Sequence, residues 1–224
     1  MKPRLDLSVY LITDPGLCRD RGLVETAVAA VRGGATVVQL RDKSASDRAL
    51  IQQGLALREA LTGTTALLIV NDRVEVAAAV GADGVHVGQS DVAAAEAREA
   101  LGPDAIIGLS IQRVELAAGL EPELIDYIGV GPVFATATKP DHAHPLGFGG
   151  LARICAASPL PAVAIGGLRA GHVASVLGAG ACGLAVVSAI CGAPDPESAA
   201  REFASSARHA RPGATPDLPG AVSR

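Results

Sequence analysis

Short apolar runs rich in β-branched residues recur along the chain at a nearly even interval, at 9–13, 36–40, 66–70, 84–87, 105–109, 126–130, 161–165 and 183–186. Alanine-rich stretches with helical spacing lie between them, as at 23–31, 47–61, 74–80 and 92–101. Eight strands alternating with helices imply right-handed crossovers and a parallel sheet. The pairs Gly34-Ala35, Gly81-Ala82 and Gly178-Ala179 each follow a helical stretch, where a left-handed cap is least strained for glycine. Eight such units predict an α/β fold of the TIM (β/α)8 barrel type, one domain over 1–206, near the small end for that architecture. A doubly wound open sheet competes with it, but that fold carries a glycine-rich phosphate fingerprint after its first strand. Thr13-Asp14-Pro15-Gly16 is not one. From about Ala207 onward Pro212, Gly213, Pro216, Pro219 and Gly220 predict a disordered tail, 207–224.

One segment imitates a membrane span, since 170–194 holds no Asp, Glu, Lys or Arg. Gly178, Gly180, Gly183 and Gly192 break it into a helix end, a short strand and a new helix start, as expected for a buried parallel strand between its helices. Composition narrows the function classes further. Apolar residues make up 49% and charged residues 19%, enough for a sizeable core and too little charge for a disordered chain. Net charge is −4, with two Tyr, three Phe and no Trp, which disfavours nucleic acid as a partner. Cys18, Cys155, Cys182 and Cys191 have no metal-finger spacing, and Asp6 and Asp14 interrupt any signal-peptide core. Reduced thiols and a cytoplasmic location are expected. The partners are then small-molecule substrates, with no membrane, and nothing in the pattern signals an oligomeric state.

In a parallel barrel the residues just beyond each strand's C-terminal end share one face and are read together. Here they are Gln39, Arg41, Asp42 and Lys43 after the second strand, Asn71, Asp72 and Arg73 after the third, and His86, Gln89 and Asp91 around the fourth. Ser110 follows the fifth, Thr136, Thr138 and Lys139 the sixth, Gly166 and Gly167 the seventh, and Ser188 the eighth. Asp72 and Asp91 follow neighbouring strands, about 5 Å apart, so both carboxylates reach one cation. Few, oxygen-only ligands suit Mg2+ that keeps waters and completes its shell on substrate phosphate. Arg41, Lys43 and Lys139 add positive charge, and Asn71 a neutral donor. That set fits a diphosphate. Gly166-Gly167 with Val187-Ser188 forms a second anion site, the glycine-lined cradle usual after strands seven and eight. Two anion sites across one mouth point to two substrates being joined. The polar stretch 136–147 reads as a lid; His142 and His144 within it are expected to be solvated, and His86 to be a packed, supporting residue rather than a base.

These residues resemble the thiamine phosphate synthase family over nearly the whole ordered chain, from Tyr10-Leu11-Ile12-Thr13-Asp14 to about Ile190. The matching motifs are Val38-Gln39-Leu40-Arg41-Asp42-Lys43, Asn71-Asp72-Arg73, Gly84-Val85-His86-Val87-Gly88-Gln89-Ser90-Asp91, Gly108-Leu109-Ser110, Asp126 to Phe134, Thr136-Ala137-Thr138-Lys139, Ala164-Ile165-Gly166-Gly167 and Val186-Val187-Ser188-Ala189-Ile190. The resemblance implies a transferase that joins hydroxymethylpyrimidine diphosphate to a thiazole phosphate, or its carboxylated form, by a dissociative step that releases pyrophosphate. It implies that Gln39, Leu40, Arg41, Asp42, Lys43, Asn71, Ser110 and Lys139 hold the pyrimidine diphosphate, with Arg41, Ser110 and Lys139 catalytic. Asp72 and Asp91 would hold Mg2+, and Thr136, Ala137, Thr138, Gly167, Val187 and Ser188 the thiazole phosphate. Gln112-Arg113 departs from the family pattern after Ser110, and Asp42 stands where Glu is common. A related thiazole tautomerase is the alternative, but Asp72, Asp91 and Pro132 vote against it. A non-catalytic barrel that binds thiamine intermediates is a third reading. A phosphosugar aldolase or epimerase would need a Schiff-base lysine or an acid–base pair inside the barrel, which these strands do not offer.

Overall fold

A strand with no neighbour leaves a row of backbone N–H and C=O groups unpaired, and eight short strands remove every such edge by closing into a ring. The computed structural model describes residues 2–88, 94–136 and 144–210. Its strands are β1 (Val9–Ile12), β2 (Val37–Leu40), β3 (Leu67–Asn71), β4 (Gly84–Val87), β5 (Ile106–Ile111), β6 (Tyr127–Val130), β7 (Ala162–Ile165) and β8 (Gly183–Val186). All pairings are parallel and follow chain order, with β1 closing on β8 as Tyr10 sits opposite Ala185. The helices are α1 (Leu23–Arg32), α2 (Asp47–Ala60), α3 (Val74–Val80), α4 (Ala94–Leu101), α5 (Val114–Ala117), α6 (Gly147–Ala157), α7 (Val173–Gly178), α8 (Ser188–Cys191) and α9 (Pro196–Ala210). The chain is a single-domain TIM barrel, and all eight expected strands are present within two residues of their expected ends.

The period-two direction of strand side chains divides the interior into two dry layers. Leu11, Val38, Val70, Val85, Ile107, Ile128, Ala164 and Leu184 pack between barrel and helices. Tyr10, Ile12, Val37, Leu67, Ile69, Ile106, Tyr127, Val163 and Ala185 fill the barrel itself. Each fully buried Val, Leu or Ile is worth roughly 1.5–3 kcal/mol, so the outer layer, with most of them, carries the larger share of the stabilisation. Helix ends are locked by side chains as well as by turns. Ser46 Oγ accepts from the Ala49 amide at the start of α2 (3.3 Å). α3 stops at Gly81, left-handed at φ 63°, and Arg58 from α2 donates to the neighbouring Val80 carbonyl (2.8 Å).

Two expectations are corrected. Gly178 is the last residue of α7, and the left-handed glycine that turns the chain into β8 is Gly180, φ 90°. The final helix continues to Ala210, because Phe203, Ala204 and Ala207 bury one face of it in the outer core. The boundary expected after residue 206 therefore cuts a packed helix, and the rest of the expected tail, 211–224, lies outside the described residues. The 170–194 segment is divided as its glycines predicted, and no described helix is long and apolar enough to cross a membrane. Cys18, Cys155, Cys182 and Cys191 form no disulfide.

The face of the barrel opposite the strand C-termini is clamped around Asp126, which pairs with both Arg98 and Lys2. Arg98 of α4 donates to Asp126 Oδ2 (2.8 Å) and to the carbonyls of Gly102, Ala105 and Leu124, while Asp126 also accepts from the Ile107 amide (2.8 Å). The Arg98 and Asp126 side chains are largely buried. Although Lys2 also pairs with Asp126 (2.5 Å), removing Arg98 leaves the Gly102, Ala105 and Leu124 carbonyls without their donor and Asp126 without its buried partner. Arg98→Met is expected to destabilise the fold by about 3 kcal/mol, read as a lower urea midpoint at constant slope.

Candidate active site

Parity decides what the barrel presents at the C-terminal ends of its strands. On four successive strands the inward position nearest that end is polar: Gln39 on β2, Asn71 on β3, His86 on β4 and Ser110 on β5. They line one cavity of about 540 Å³ that opens at this mouth, with Arg41 and Gln112 above them. Tyr10, Ile12, Val163, Ile165 and Ala185 supply its apolar wall. The opposite half is made by Thr136, Gly166, Gly167, Arg169, Val187 and Ser188. Gly166 and Gly167 have φ of 104° and 62°, and a Cβ on either would meet the loop after β6, Pro132 Cα at 2.7 Å and the Ala135 carbonyl at 2.7 Å. Glycine there lets the two loops pack, joined by the Val133 amide to the Ile165 carbonyl (2.8 Å) and Phe134 to Gly166 (3.0 Å).

Beneath the polar half a line of side-chain hydrogen bonds crosses the barrel. Gln39 Nε2 donates to the Tyr10 hydroxyl (2.8 Å), which is 2.7 Å from the Tyr127 hydroxyl; Tyr127 reaches His86 Nδ1 (3.0 Å), and His86 Nε2 reaches Ser110 Oγ (3.0 Å). Burial pushes both phenols well above the ordinary tyrosine range, so both stay protonated.

Backbone strain marks the rim. Asp72 is the one non-glycine residue with positive φ among those described, 64°, and the Arg73 amide bonds the Asn71 carbonyl across it (2.8 Å). That three-residue turn is a rare form whose cost is of order 1–3 kcal/mol, held here by the Asp72 amide on the His86 carbonyl (2.9 Å). The turn brings Asp72 Oδ2 within 3.7 Å of Lys43 Nζ. Two anchors hold the loops behind it: Thr13 Oγ1 accepts from the Arg41 amide (3.0 Å), and the Arg73 guanidinium pairs with Asp47 at the start of α2.

Comparison with known proteins decides what kind of chain carries this mouth. The family model described as thiamine monophosphate synthase matches residues 9–190. The chain is 50% identical to the thiamine-phosphate synthase of Psychrobacter sp. over 197 residues, 87% of this chain and 92% of the other. It is 50% identical to that of Xanthobacter autotrophicus over 211 residues, 94% and 100%. Among solved structures, the thiamine phosphate pyrophosphorylase from Pyrococcus furiosus superposes with a TM-score of 0.83 at 38% identity, covering 92% of this chain and 97% of that one. The chain belongs to the thiamine monophosphate synthase family.

As a member of that family it is a transferase, and the residues expected to bind substrate fall into three groups. Gln39, Arg41, Asn71 and Ser110 line one half of the cavity, and Thr136, Gly167, Val187 and Ser188 the other. Lys43 and Asp72 pair at the rim. Leu40 buries its side chain in the outer core, which leaves its backbone for any ligand. Asp42 turns its carboxylate back on its own loop, accepting from the Ser44 hydroxyl (2.7 Å) and the amides of Ser44 (2.9 Å) and Ala45 (3.1 Å). Asp91, Ala137, Thr138, Lys139 and His142 lie outside the described residues, as does most of the expected lid; His144 is exposed. Three polar cavity residues were not singled out from the sequence as site residues. Tyr10 was findable from the inward parity of β1, and Gln112 from that of β5, which runs two residues beyond its expected end and so takes Ser110 into the strand. Arg169 carried no such signal, since only the fold brings its loop beside Gly167 and Ser188. Arg113, next to Gln112, is the residue before α5 and makes no side-chain cap there.

The Asp42 turn has a pH signature. Burial acts to raise its pKa, but the hydrogen bonds from Ser44 and Ala45, with the nearby Arg41 charge, outweigh it and hold the carboxyl below its ordinary value. A folded-state pKa below the unfolded one stabilises the protein above about pH 4 and loses that contribution as pH falls through the folded value. Asp42→Asn is therefore expected to lower Tm at neutral pH and to flatten its fall in acid, checked by thermal melts of both proteins from neutral pH to pH 2.

Proposed function

We propose that this chain joins hydroxymethylpyrimidine diphosphate to thiazole phosphate, or to its carboxylated form, giving thiamine phosphate and pyrophosphate. What carries this reading is one cavity with two unlike polar halves: an amide, hydroxyl and cationic half on β2–β5, and a glycine and hydroxyl half after β6, β7 and β8. The first suits a flat heteroaromatic ring that ends in a highly charged diphosphate, the second a single phosphate held by backbone and hydroxyl groups.

In the reaction the carbon–oxygen bond to the diphosphate breaks with its electron pair leaving on oxygen. The aminopyrimidine holds the resulting cation by delocalisation, and the thiazole nitrogen forms the new carbon–nitrogen bond with its lone pair. Charge grows on the leaving group, so Arg41 and Lys43 at the rim, together with Lys139, stabilise the transition state more than the bound substrate. Gln39, Asn71 and Ser110 orient the pyrimidine, and Ile12, Val163 and Ile165 give the cation a wall that holds no nucleophile. Leu40 and Asp42 act through the backbone of their loop. Thr136, Ala137, Thr138, Gly167, Val187 and Ser188 fix the thiazole phosphate so that its nitrogen faces the departing bond.

The donor set at the rim fits Mg2+. Asp72 offers a partly exposed carboxylate beside the cavity, and among the described residues no group of three or more His, Cys, Asp and Glu gathers to form a closed cage. One or two carboxylates are what a hydrated Mg2+ takes when substrate phosphate supplies the remaining oxygens, with Asp91 as the second. When bound, the ion neutralises phosphoryl oxygens. Four cysteines that form no disulfide accord with action in the cytoplasm.

Mixing the purified protein with both substrates should release pyrophosphate only in the presence of Mg2+. A chain that releases none with both substrates and the metal present does not catalyse this reaction. Asp72→Asn and Asp91→Asn should each lower turnover and shift the Mg2+ dependence to higher concentration, and unchanged behaviour of both would remove the metal assignment. Lys139→Ala should cost more than about tenfold in kcat, or ~1.4 kcal/mol, through lost charge on the leaving group.

A further inference from the structure

The hydrogen-bond line under the cavity has a direction, and its direction reaches the ligand. Gln39 places its amide nitrogen on the Tyr10 oxygen, and an NH2 group only donates, so the Tyr10 oxygen is an acceptor there. A phenol has one proton, and the oxygen within reach of the Tyr10 proton among the described residues is that of Tyr127, 2.7 Å away. Tyr127 then accepts from Tyr10 and gives its own proton to His86 Nδ1 at 3.0 Å. A neutral imidazole that accepts at Nδ1 carries its hydrogen on Nε2, and Nε2 lies 3.0 Å from Ser110 Oγ. With the Gln39 amide placed this way, the opposite direction leaves the Tyr10 proton without an acceptor in a side chain that is 1% exposed, a cost of about 1–3 kcal/mol. It requires the amide to turn over so that Oε1 meets the hydroxyl, which a measurement of the His86 tautomer detects.

We infer that this line holds His86 as the Nε2–H tautomer, so that Ser110 accepts from His86 and turns its own proton into the cavity as a hydrogen-bond donor. The acceptor it suits is a ring nitrogen or a phosphoryl oxygen of the bound substrate. Tyr127 and His86 are thus positioning residues acting through Ser110. The rings have little freedom to do otherwise. His86 and Tyr127 pack where Gly108 and Gly129 leave room: a Cβ on Gly108 would come within 2.2 Å of Tyr127 Cζ and 2.5 Å of His86 Nδ1, and one on Gly129 within 2.9 Å of His86 Cε1. High phenol pKa values keep each tyrosine proton in place.

The tautomer stands on hydrogen-bond geometry; its effect on turnover rests on the proposed transfer, and the two are read separately. In the 15N-labelled full chain, with the His86 signals assigned by their loss in His86→Gln, long-range 15N–1H spectra of the unliganded protein should show the proton on Nε2 alone. A proton on Nδ1 overturns the inference. Tyr127 is buried outside the cavity lining, so Tyr127→Phe removes one link without touching the ligand. In that variant Nδ1 should become protonated in some of the population, and kcat should fall about tenfold (~1.4 kcal/mol) while KM for both substrates changes less than about threefold. Parental kcat in a folded Tyr127→Phe protein, or an unchanged tautomer, contradicts it; should that variant not fold, the parent spectrum decides. No pyrophosphate release by the parent would remove the proposed reaction and leave the tautomer to the spectrum.

Discussion

Ring closure governs this molecule, because a barrel of parallel strands has no free edge and every strand residue must face either the helices or the enclosed centre. The outward set of strand residues is aliphatic packing, from Leu11 on β1 to Leu184 on β8. The inward set has an open end, where water and ligand supply partners that the closed end lacks. Polar residues therefore gather on one side only. Gln39, Asn71, His86 and Ser110 occupy that end on consecutive strands, while Val37, Leu67 and Ile106 fill the layer below them.

Stability and chemistry are divided between the two faces in consequence. On the closed face Arg98 ties Asp126 to four backbone groups around the starts of β5 and β6. The open face carries the strain: Asp72 sits at φ 64°, and the glycines after β7 accept backbone that no other residue adopts without cost. Strain of that size persists because neighbouring groups over-determine it, here the His86 carbonyl on one side and the Arg73–Asp47 pair on the other. In the preceding loop the Asp42 turn has an equivalent role, fixing the chain between Arg41 and Lys43 so that both cations stay at the rim.

The buried tyrosines solve a separate problem. Two large phenols and an imidazole inside a barrel all need partners, and linking them in series from Gln39 to Ser110 satisfies both phenols and the imidazole within the protein. Such a series has a polarity set by its first donor, so an amide on β2 governs a hydroxyl on β5 across the width of the barrel. The same series thereby presents a defined donor to whatever binds above it.

Much of this was legible in the chain itself, because local forces write it there. Strand and helix placement follows from apolar runs and glycine punctuation, and the polar residues at strand ends announce the mouth. Local pattern failed where burial outweighed it: glycine and proline after residue 211 masked the apolar face of α9. Only ring closure and register, set by contacts between segments distant in sequence, decided that Tyr10, Tyr127 and His86 meet and that Arg169 reaches the cavity. Sequence alone thus determined the elements and the chemistry available, since those depend on neighbours along the chain; tertiary structure decided which groups touch, since hydrogen bonds and packing act only through space.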